Sequence, residues 1–412
     1  MANIRPFACV RPNQKVAEKV AALPYDVYNR EEAKDVVSRE PLSFLNIDRA
    51  ETQFDDSVDT YAPEVYEKAK ELLDGRIADG TFIKDEEQCY YVYQLIMEGR
   101  SQTGIVACSS IDDYQNNIIK KHEKTREDKE IDRIHHVDTC NAQTGPIFLA
   151  YRSNQVINDI VQKTMKGESL YHFVAEDGIE HNVWKIADKE EIDAIHKAFL
   201  GIQEIYIADG HHRAASAVKV GLKRREQHKE YTGEEEFNYF LSVLFPDEEL
   251  KILPYNRVVK DLNGHSKMEY LELISRKFKV TLLGEKPFWP ERKATFGMFL
   301  DGQWYLLEAR NRIQNEKDPV KNLDVAILQD HLLHPILGIN DPRTDKRIDF
   351  IGGIRGLKEL ERRVNVDCQV AFSMYPTSIH ELFAVADANL LMPPKSTWFE
   401  PKLRSGLFIH QI

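Results

Sequence analysis

The stretch Ile207-Ala-Asp-Gly-His-His-Arg213 decides the local fold near the middle of this chain. The preceding residues Glu204–Ala208 are rich in β-branched and aromatic side chains and predict a short strand that ends at Asp209. After the stretch, apolar residues recur at the spacing of an α-helix, at Ala214, Ala215, Ala217, Val218 and Leu222. The sequence therefore predicts a corner at which a strand turns directly into a helix.

This corner carries residues that suit an anion. Gly210 can adopt a positive φ and let the backbone approach a ligand, and the free N–H groups of a helix start favour negative charge. Arg213 adds a planar fork for phosphate oxygens. We predict that Gly210, His211 and Arg213 bind phosphates. We also predict catalytic roles for Asp209, which would hold Mg²⁺ beside the phosphates, and for His212, which can exchange a proton near neutral pH.

A simpler interpretation of the same residues stays open. Asp-Gly is a common turn, and two histidines can cap a helix without binding a ligand. An ordinary helix start rarely carries Asp, two His and Arg together, and this concentration of polar groups favours the functional interpretation.

The segment Lys120–Asp138 is very polar, although it lies between a helix-like stretch and an apolar strand. Most such runs are solvated loops, but this one is long for a simple connection, and long loops are often functional. Its Glu123 is our candidate for the general base that accepts the proton of an attacking hydroxyl. His122 and Arg133 are candidate substrate-binding residues, and Thr125 is a candidate nucleotide ligand.

The histidines of this segment also raise the question of zinc. A zinc-binding helix places His at i and i+4, as in His-Glu-x-x-His, but Arg126 stands where the second His would be. The five cysteines, Cys9, Cys89, Cys108, Cys140 and Cys368, are widely spaced and contain no Cys-x-x-Cys pair. The sequence therefore favours reduced thiols over a zinc site or a disulfide framework.

Two further segments contain candidate ligands. Tyr25 and Asp26 in Pro24-Tyr-Asp-Val27 are candidate substrate-binding residues, although Pro and Asp are also common in plain turns. In Pro393-Pro-Lys-Ser-Thr397, the residues that we predict to contact nucleotide phosphates are Lys395, Ser396 and Thr397. No Gly-x-x-x-x-Gly-Lys precedes them, so this segment is not a Walker-type phosphate loop.

Strand-like and helix-like segments alternate along the chain. Tyr90–Met97 and Gly104–Ser110 predict the two strands of a hairpin, and Asp112–Lys121 predicts a helix. We predict an α+β fold of two lobes, with mixed sheets flanked by helices. Residues 1–260 would form the catalytic lobe, and residues 261–412 a second α+β lobe that closes the cleft.

Composition excludes several classes of function. The 412 residues have a formal net charge of -12, which opposes binding to nucleic acid or to an anionic membrane surface. No run approaches the roughly 20 apolar residues of a membrane span, and the N-terminus lacks the pattern of a signal peptide. We therefore expect a cytoplasmic protein that acts on a small molecule, with a homodimer as a possible assembly.

The chain resembles a widespread bacterial and archaeal family that is described as a domain of unknown function. The resemblance runs along essentially the whole chain. It rests on six motifs, which are Ile4-Arg-Pro-Phe7, Pro24-Tyr-Asp-Val27, His122-Glu-Lys-Thr125 with Asp132-Arg133, Ala208-Asp-Gly-His-His-Arg213, Pro254-Tyr-Asn-Arg257 and Pro393-Pro-Lys-Ser-Thr397.

The Asp-Gly-x-His-Arg signature at Asp209–Arg213 is similar, in turn, to that of archaeal free-serine kinases of the ParB/sulfiredoxin-like superfamily. This local resemblance implies a nucleotide-binding core of that type and a kinase that phosphorylates free L-serine with ATP or ADP and Mg²⁺. Carried onto this chain, it places Asp209 at the metal and the reacting phosphate, and Gly210–Arg213 along the phosphate chain. It implies an upstream glutamate as the base, for which Glu123 is our candidate.

Other functions stay open beside this one. A nucleotide-binding regulatory protein would bind the same ligand without transferring phosphate. A kinase or hydrolase of another small hydroxyl or phosphate substrate would use the same residues. A ParB-like DNA binder is opposed by the acidic charge, and a sulfiredoxin-type reductase by the absence of cysteine from Asp209–Arg213.

Overall fold

The strand Ile205–Asp209 and the helix His211–Gln227 meet at Gly210 in the computed structural model, which describes residues 1–314 and 317–412. The predicted strand–turn–helix corner is thus present. The described residues divide into two units. The first unit is Met1–Leu250 together with Pro401–Ile412, and the second unit is Lys251–Glu400.

The strands are numbered along the chain. They are β1 (Ile4–Arg5), β2 (Val10–Pro12), β3 (Phe82–Lys84), β4 (Tyr90–Met97), β5 (Arg100–Ser110), β6 (Ile119–Lys120), β7 (Ala142–Gln143), β8 (Ile147–Tyr151), β9 (Tyr171–Val174), β10 (Glu180–Ile186), β11 (Ile205–Asp209), β12 (Tyr239–Pro246), β13 (Ile252–Leu253), β14 (Tyr255–Val259), β15 (Phe278–Gly284), β16 (Thr295–Leu300), β17 (Gln303–Ala309), β18 (Ile348–Gly352), β19 (Val370–Met374), β20 (Trp398–Phe399) and β21 (His410–Gln411).

The α-helices are numbered in the same way. They are α1 (Ala17–Val20), α2 (Arg30–Arg39), α3 (Leu45–Asp48), α4 (Pro63–Ala78), α5 (Ile111–Gln115), α6 (Glu127–Cys140), α7 (Gln155–Thr164), α8 (Lys189–Leu200), α9 (His211–Gln227), α10 (Lys267–Ser275), α11 (Asp324–Leu328), α12 (Gly356–Val366) and α13 (Ile379–Asp387).

A mixed sheet forms the centre of the first unit. Its strand order is β6-β11-β8-β12-β5-β4-β10-β9, with β1 paired to β5. The pairs β11/β6 and β12/β8 are parallel, and the other neighbours are antiparallel. The predicted hairpin is present as β4 and β5, because Glu98 and Gly99 both adopt the positive φ that a tight two-residue turn requires.

Two apolar clusters hold the first unit together. One contains side chains of the central sheet and of the helices that cover it, such as Ile207 on β11, Ala214 on α9 and Phe199 on α8. The other lies around α4 and contains Leu45 of α3 and Leu73 of α4. Helix α6 packs against both α4 and α9, and this packing brings its polar residues to the corner at Gly210.

The second unit contains its own sheet, in the order β15-β17-β16-β19-β14-β18. All neighbouring strands in it are antiparallel. Helix α12 packs on this sheet, with Leu360 buried against Val258 and Ala371 in one apolar cluster. The α+β class with mixed sheets and flanking helices is therefore confirmed.

The division of the chain differs from the predicted one in two places. Strands β13 and β14 precede residue 260 but pair with β18, β19 and β20, so the second unit begins at Lys251. The last residues return to the first unit, where β21 pairs with β7 and Ile409 bridges Val10. The functions that we predicted for the two lobes stay predictions.

Two local predictions also need correction. The predicted helix Asp112–Lys121 ends at Gln115, because Asn117 adopts a left-handed φ of 58° and the chain then enters β6. The polar segment that suggested a solvated loop is largely the helix α6, in which Glu130, Asp132 and Arg133 are buried. The sequence did not show this helix clearly, because three of its buried side chains are ionic.

Across residues 1–314 and 317–412, no helix has the length and the apolar character that a membrane span needs.

Candidate functional site

The start of α9 has a glycine at the position that usually carries a capping side chain. Gly210 precedes the helix with a φ of 90°, and so no side chain at this position caps the first turn. A Cβ atom at this position would lie 3.1 Å from Nε and Nη2 of Arg213. The glycine thus allows the Arg213 guanidinium to lie against the turn, where it adds positive charge to a helix end that already favours anions.

Asp209 lies between two cations at this corner. Its Oδ1 accepts a hydrogen bond from the Gly210 N–H at 2.9 Å, and its Oδ2 lies 3.0 Å from Nζ of Lys402. Burial would raise the pKa of Asp209, but the charges of Lys402 and Arg213 and the hydrogen bonds outweigh it and hold the pKa well below 3.8. The carboxylate is therefore ionised at any neutral or mildly acidic pH.

The two histidines of the corner hold the preceding loop in place. Nε2 of His211 accepts a hydrogen bond from the His122 backbone N–H at 3.5 Å, and Nε2 of His212 accepts one from the Arg126 backbone N–H at 3.0 Å. Burial lowers the pKa of both rings, so both are neutral and able to accept. The loop 121–126 is thus fastened to the first turn of α9 at two points.

Three predicted residues lie on this loop. The half-exposed Glu123 has its Oε2 at 3.9 Å from Nδ1 of His211. His122 is buried edge-on against the His211 ring, and burial lowers its pKa to about 4. The side chain of Thr125 hydrogen-bonds Glu130 on α6. The structure therefore places Glu123 near the corner at Gly210. The side chain of Thr125 instead contacts α6.

Two adjoining cavities lie beside the corner, within the first unit. The lining of the first cavity includes Arg213 and Gly145 of the corner region. The lining of the second cavity includes the exposed residue Asp26. Four residues line both cavities: Tyr25, Asp48, Arg133 and His136. The predicted substrate residues Tyr25, Asp26 and Arg133 are thus brought together around one polar space.

Arg133 is fixed in this space by two neighbours. Its guanidinium lies 3.9 Å above the centre of the Tyr25 ring, and its Nε donates to Oδ2 of Asp132 at 2.9 Å. Burial raises the pKa of Tyr25 to about 12, so the ring is neutral beside the cation. The terminal nitrogens of Arg133 make no hydrogen bond to any residue that the structure describes.

Asp48, His136 and Thr144 were missed by the sequence reasoning. The Thr144 hydroxyl donates to Oδ1 of Asp48 at 2.8 Å, and Nε2 of His136 lies 3.1 Å from the Ile47 carbonyl oxygen. Asp48 and Thr144 belong to no recognisable sequence motif. His136 was visible as part of the His135-His136 pair, but nothing in the sequence showed which ring is buried.

The predicted nucleotide ligands Lys395, Ser396 and Thr397 lie in the second unit. There the Ser396 hydroxyl donates to the Pro393 carbonyl oxygen at 2.6 Å, and Nη2 of Arg257 donates to the Lys395 carbonyl oxygen at 3.0 Å. Thr397 is half-buried. These contacts order the loop, and the role of its three residues toward a nucleotide stays a prediction.

Within residues 1–314 and 317–412, no group of three or more His, Cys, Asp or Glu side chains is arranged to hold a metal ion. Asp209 is a single carboxylate with the Lys402 ammonium on one of its oxygens. Mg²⁺ is often held by one or two carboxylates together with substrate phosphates. The residues present therefore fit an ion that arrives with a phosphate chain, and not a resident metal held by protein ligands alone.

Several solved structures are distantly similar to this chain. A free serine kinase in complex with AMP is 15% identical, with a TM-score of 0.34 over 74% of this chain and 91% of the other. A conserved hypothetical protein from Pyrococcus furiosus is 14% identical, with a TM-score of 0.33 over 74% and 94%. SbnI with a C-terminal truncation, from Staphylococcus aureus, is 11% identical, with a TM-score of 0.36 over 72% and 82%.

No curated protein matches the sequence. One family model matches residues 4–326 of the chain. This range includes the corner at Gly210, the loop 121–126 and the residues of α6 that line the two cavities. This chain therefore belongs to the DUF1015 family, which is described as a protein family of unknown function.

Proposed function

We propose that this protein is a kinase that transfers a phosphoryl group from ATP or ADP to the hydroxyl of a small molecule, with free L-serine as the acceptor. The observation that carries the proposal is the group of anion-binding elements around Gly210. The uncapped start of α9, the Arg213 guanidinium and the Lys402 ammonium converge there. Phosphoryl transfer depends mainly on such positioning and charge neutralisation.

The proposed reaction has one proton acceptor. Glu123 lies on the loop that His211 and His212 fasten to the start of α9, and its carboxylate is half-exposed. It would accept the proton of the acceptor hydroxyl as that oxygen bonds to the terminal phosphorus. The bond from phosphorus to the bridging oxygen of the nucleotide breaks, and the shortened nucleotide leaves with that oxygen.

Mg²⁺ would bind with the nucleotide beside Asp209. When bound, it would neutralise phosphate charge. Lys402 contacts the same carboxylate, so this ammonium would either stay on Asp209 or move to a phosphate oxygen. L-Serine as acceptor is favoured by the local resemblance of Asp209–Arg213 to the signature of free-serine kinases.

A direct test is to incubate the protein with ATP or ADP, Mg²⁺ and a pool of amino acids and polyols, and to identify phosphorylated products by mass spectrometry. We expect phosphoserine. The variant Glu123→Gln should slow product formation by at least about 100-fold, in line with the usual contribution of a general base. The matched variant Glu127→Gln, at the exposed start of α6, should leave the rate unchanged.

A nucleotide-binding regulatory protein is the second candidate, and the Lys402–Asp209 contact favours it, because this ion pair occupies the carboxylate that would help to bind a metal. Nucleotide binding in calorimetry without a phosphorylated product from any acceptor in the pool would support this candidate and exclude the kinase.

A further inference from the structure

We infer that the cavity space shared by Tyr25, Asp48 and Arg133 recognises both charged groups of an α-amino acid, with the carboxylate at Arg133 and the ammonium at Asp48. This inference rests on the proposed function, because it names the class of acceptor for the same site. It goes further in assigning the two charges to two residues, one of which belongs to no recognised motif.

Arg133 supplies the anion-binding half of this space. The residue is only 7% exposed, yet its terminal nitrogens bond to no described residue. Guanidinium nitrogens that line a cavity usually have a hydrogen-bond partner, and a ligand would supply it here. The Tyr25 ring covers the guanidinium face and Asp132 holds Nε, so the edge that remains matches the two oxygens of a carboxylate.

Asp48 supplies the cation-binding half. The residue is 4% exposed, and its hydrogen bond to the Thr144 hydroxyl uses Oδ1. No described residue donates a hydrogen bond to its Oδ2. His136 lies 3.9 Å away, but burial lowers its pKa, so the neutral ring does not balance the charge. A ligand ammonium would donate the hydrogen bond that Oδ2 of Asp48 lacks.

The pattern of charges selects against other small ligands. Arg133 already bonds Asp132, so a phosphate dianion at Arg133 would meet a cation that is partly neutralised and the Asp48 carboxylate as well. An amine without a carboxylate would leave the terminal nitrogens of Arg133 without a partner, and a hydroxy acid would supply no ammonium for Oδ2 of Asp48. Since Arg213 lines the same cavity as Asp48 and Arg133, an amino acid held at these two residues would lie beside the phosphate corner.

The first test measures binding to the wild-type protein by calorimetry, with four small probes. L-Serine and L-alanine carry both charges, L-lactate lacks the ammonium, and ethanolamine lacks the carboxylate. We expect L-alanine to bind within about tenfold of L-serine. L-Lactate and ethanolamine should each bind at least about tenfold more weakly than L-alanine, because each leaves one buried charge without its partner. Equal binding of L-lactate and L-alanine would overturn the inference.

The second test removes one charge from the protein. Asp48→Asn keeps an oxygen for the Thr144 hydroxyl but loses the negative charge, so L-alanine should lose its advantage over L-lactate. Asp159→Asn, on the exposed side of α7, is the matched control and should keep that advantage. A folded Asp48→Asn variant that still prefers L-alanine would count against the assignment, and the wild-type measurements decide the question if the variant does not fold.

Failure of this inference is distinguishable from failure of the proposed function. L-Alanine has no hydroxyl, so its selective binding tests recognition without any transfer. Selective L-alanine binding without any phosphorylated product would retain the inference and reject the kinase. Phosphorylation of an acceptor without an ammonium, together with equal binding of L-lactate and L-alanine, would retain the kinase and reject the inference.

Discussion

Lys402 and Asp209 are 193 residues apart in the sequence, yet Nζ of Lys402 lies 3.0 Å from Oδ2 of Asp209. The C-terminal residues Pro401–Ile412 belong to the first unit, and this return of the chain delivers the ammonium to the corner at Gly210. A cation beside a helix start is well placed to meet a phosphate. We therefore treat Lys402 as part of the proposed nucleotide site.

Replacing Lys402 tests this role. Lys402→Met should weaken ADP binding by about 10- to 100-fold, which corresponds to the roughly 1.5–3 kcal/mol of a charge-assisted hydrogen bond. The double variant Lys402→Met/Asp209→Asn shows how much of the loss comes from the carboxylate left without its partner. Calorimetric titration provides the measurement, with Lys70→Met on α4 as the control. Unchanged affinity in Lys402→Met would remove this lysine from the site.

Substitution of Gly210 provides a second test. A control substitution at another glycine separates the effect of backbone strain from the effect on nucleotide binding. Gly210→Ala places a Cβ atom 3.1 Å from the Arg213 guanidinium, whereas a Cβ atom at Gly178 meets nothing within 4 Å. Both glycines have positive φ, so both variants should lose roughly 1–2 kcal/mol of stability. Only Gly210→Ala should also weaken ADP binding. Equal affinities of the two variants would show that the contact with Arg213 is irrelevant to binding.

The histidine contacts predict a matched pair of variants. In His212→Gln, the side-chain amide oxygen takes the place of Nε2 and still accepts from the Arg126 backbone N–H, whereas His212→Leu cannot. We expect tryptic cleavage after Lys124 and Arg126 to accelerate in the leucine variant alone. Similar cleavage rates in both variants would contradict the fastening of the loop by His212.

The corner at Gly210 was predictable because its signals are local. A β-rich run, a glycine and a helical apolar spacing act within a few residues of one another, and Asp209 and Arg213 lie where the sequence implied. The roles of His211 and His212 were not predictable, because their partners are the backbone N–H groups of His122 and Arg126, more than eighty residues earlier. A contact with a backbone group cannot be recognised from the sequence, because backbone groups are common to nearly all residues.

The role of Asp48 in the candidate site was not predictable from the sequence for a different reason. Asp48 is a single acidic residue at the end of α3, a short helix with three apolar or amide neighbours. Its importance comes from burial beside Arg133, and burial of a charge is decided by tertiary packing. Sequence periodicity likewise missed α6, since Glu130 and Asp132 occupy positions where apolar residues are expected.

His122 predicts a pH dependence. Burial lowers the pKa of its ring from 6.5 to about 4, against a smaller opposing effect of the Asp209 charge. In the unfolded chain the His122 ring therefore binds a proton near pH 6.5, whereas in the folded chain it binds one only near pH 4. The contribution of the neutral ring to stability is complete above pH 6.5 and is lost as the pH falls toward 4.

An NMR titration of the imidazole resonances, assigned with the variant His122→Gln, measures this pKa directly. We expect a midpoint of about 4 for His122. A midpoint near 6.5 would mean that the ring is hydrated, and it would contradict the packed contact between His122 and His211.

The return of Pro401–Ile412 to the first unit also bears on how the protein is made. A ribosome synthesises Asp209 and the strand Ala142–Gln143 well before it reaches Lys402 and the strand His410–Gln411 that completes their surroundings. During translation of Lys251–Glu400, the growing polypeptide must keep that strand edge available and unaggregated. The corner therefore lacks its ammonium until translation has passed Lys402, and premature termination anywhere in Lys251–Glu400 yields a product without this residue.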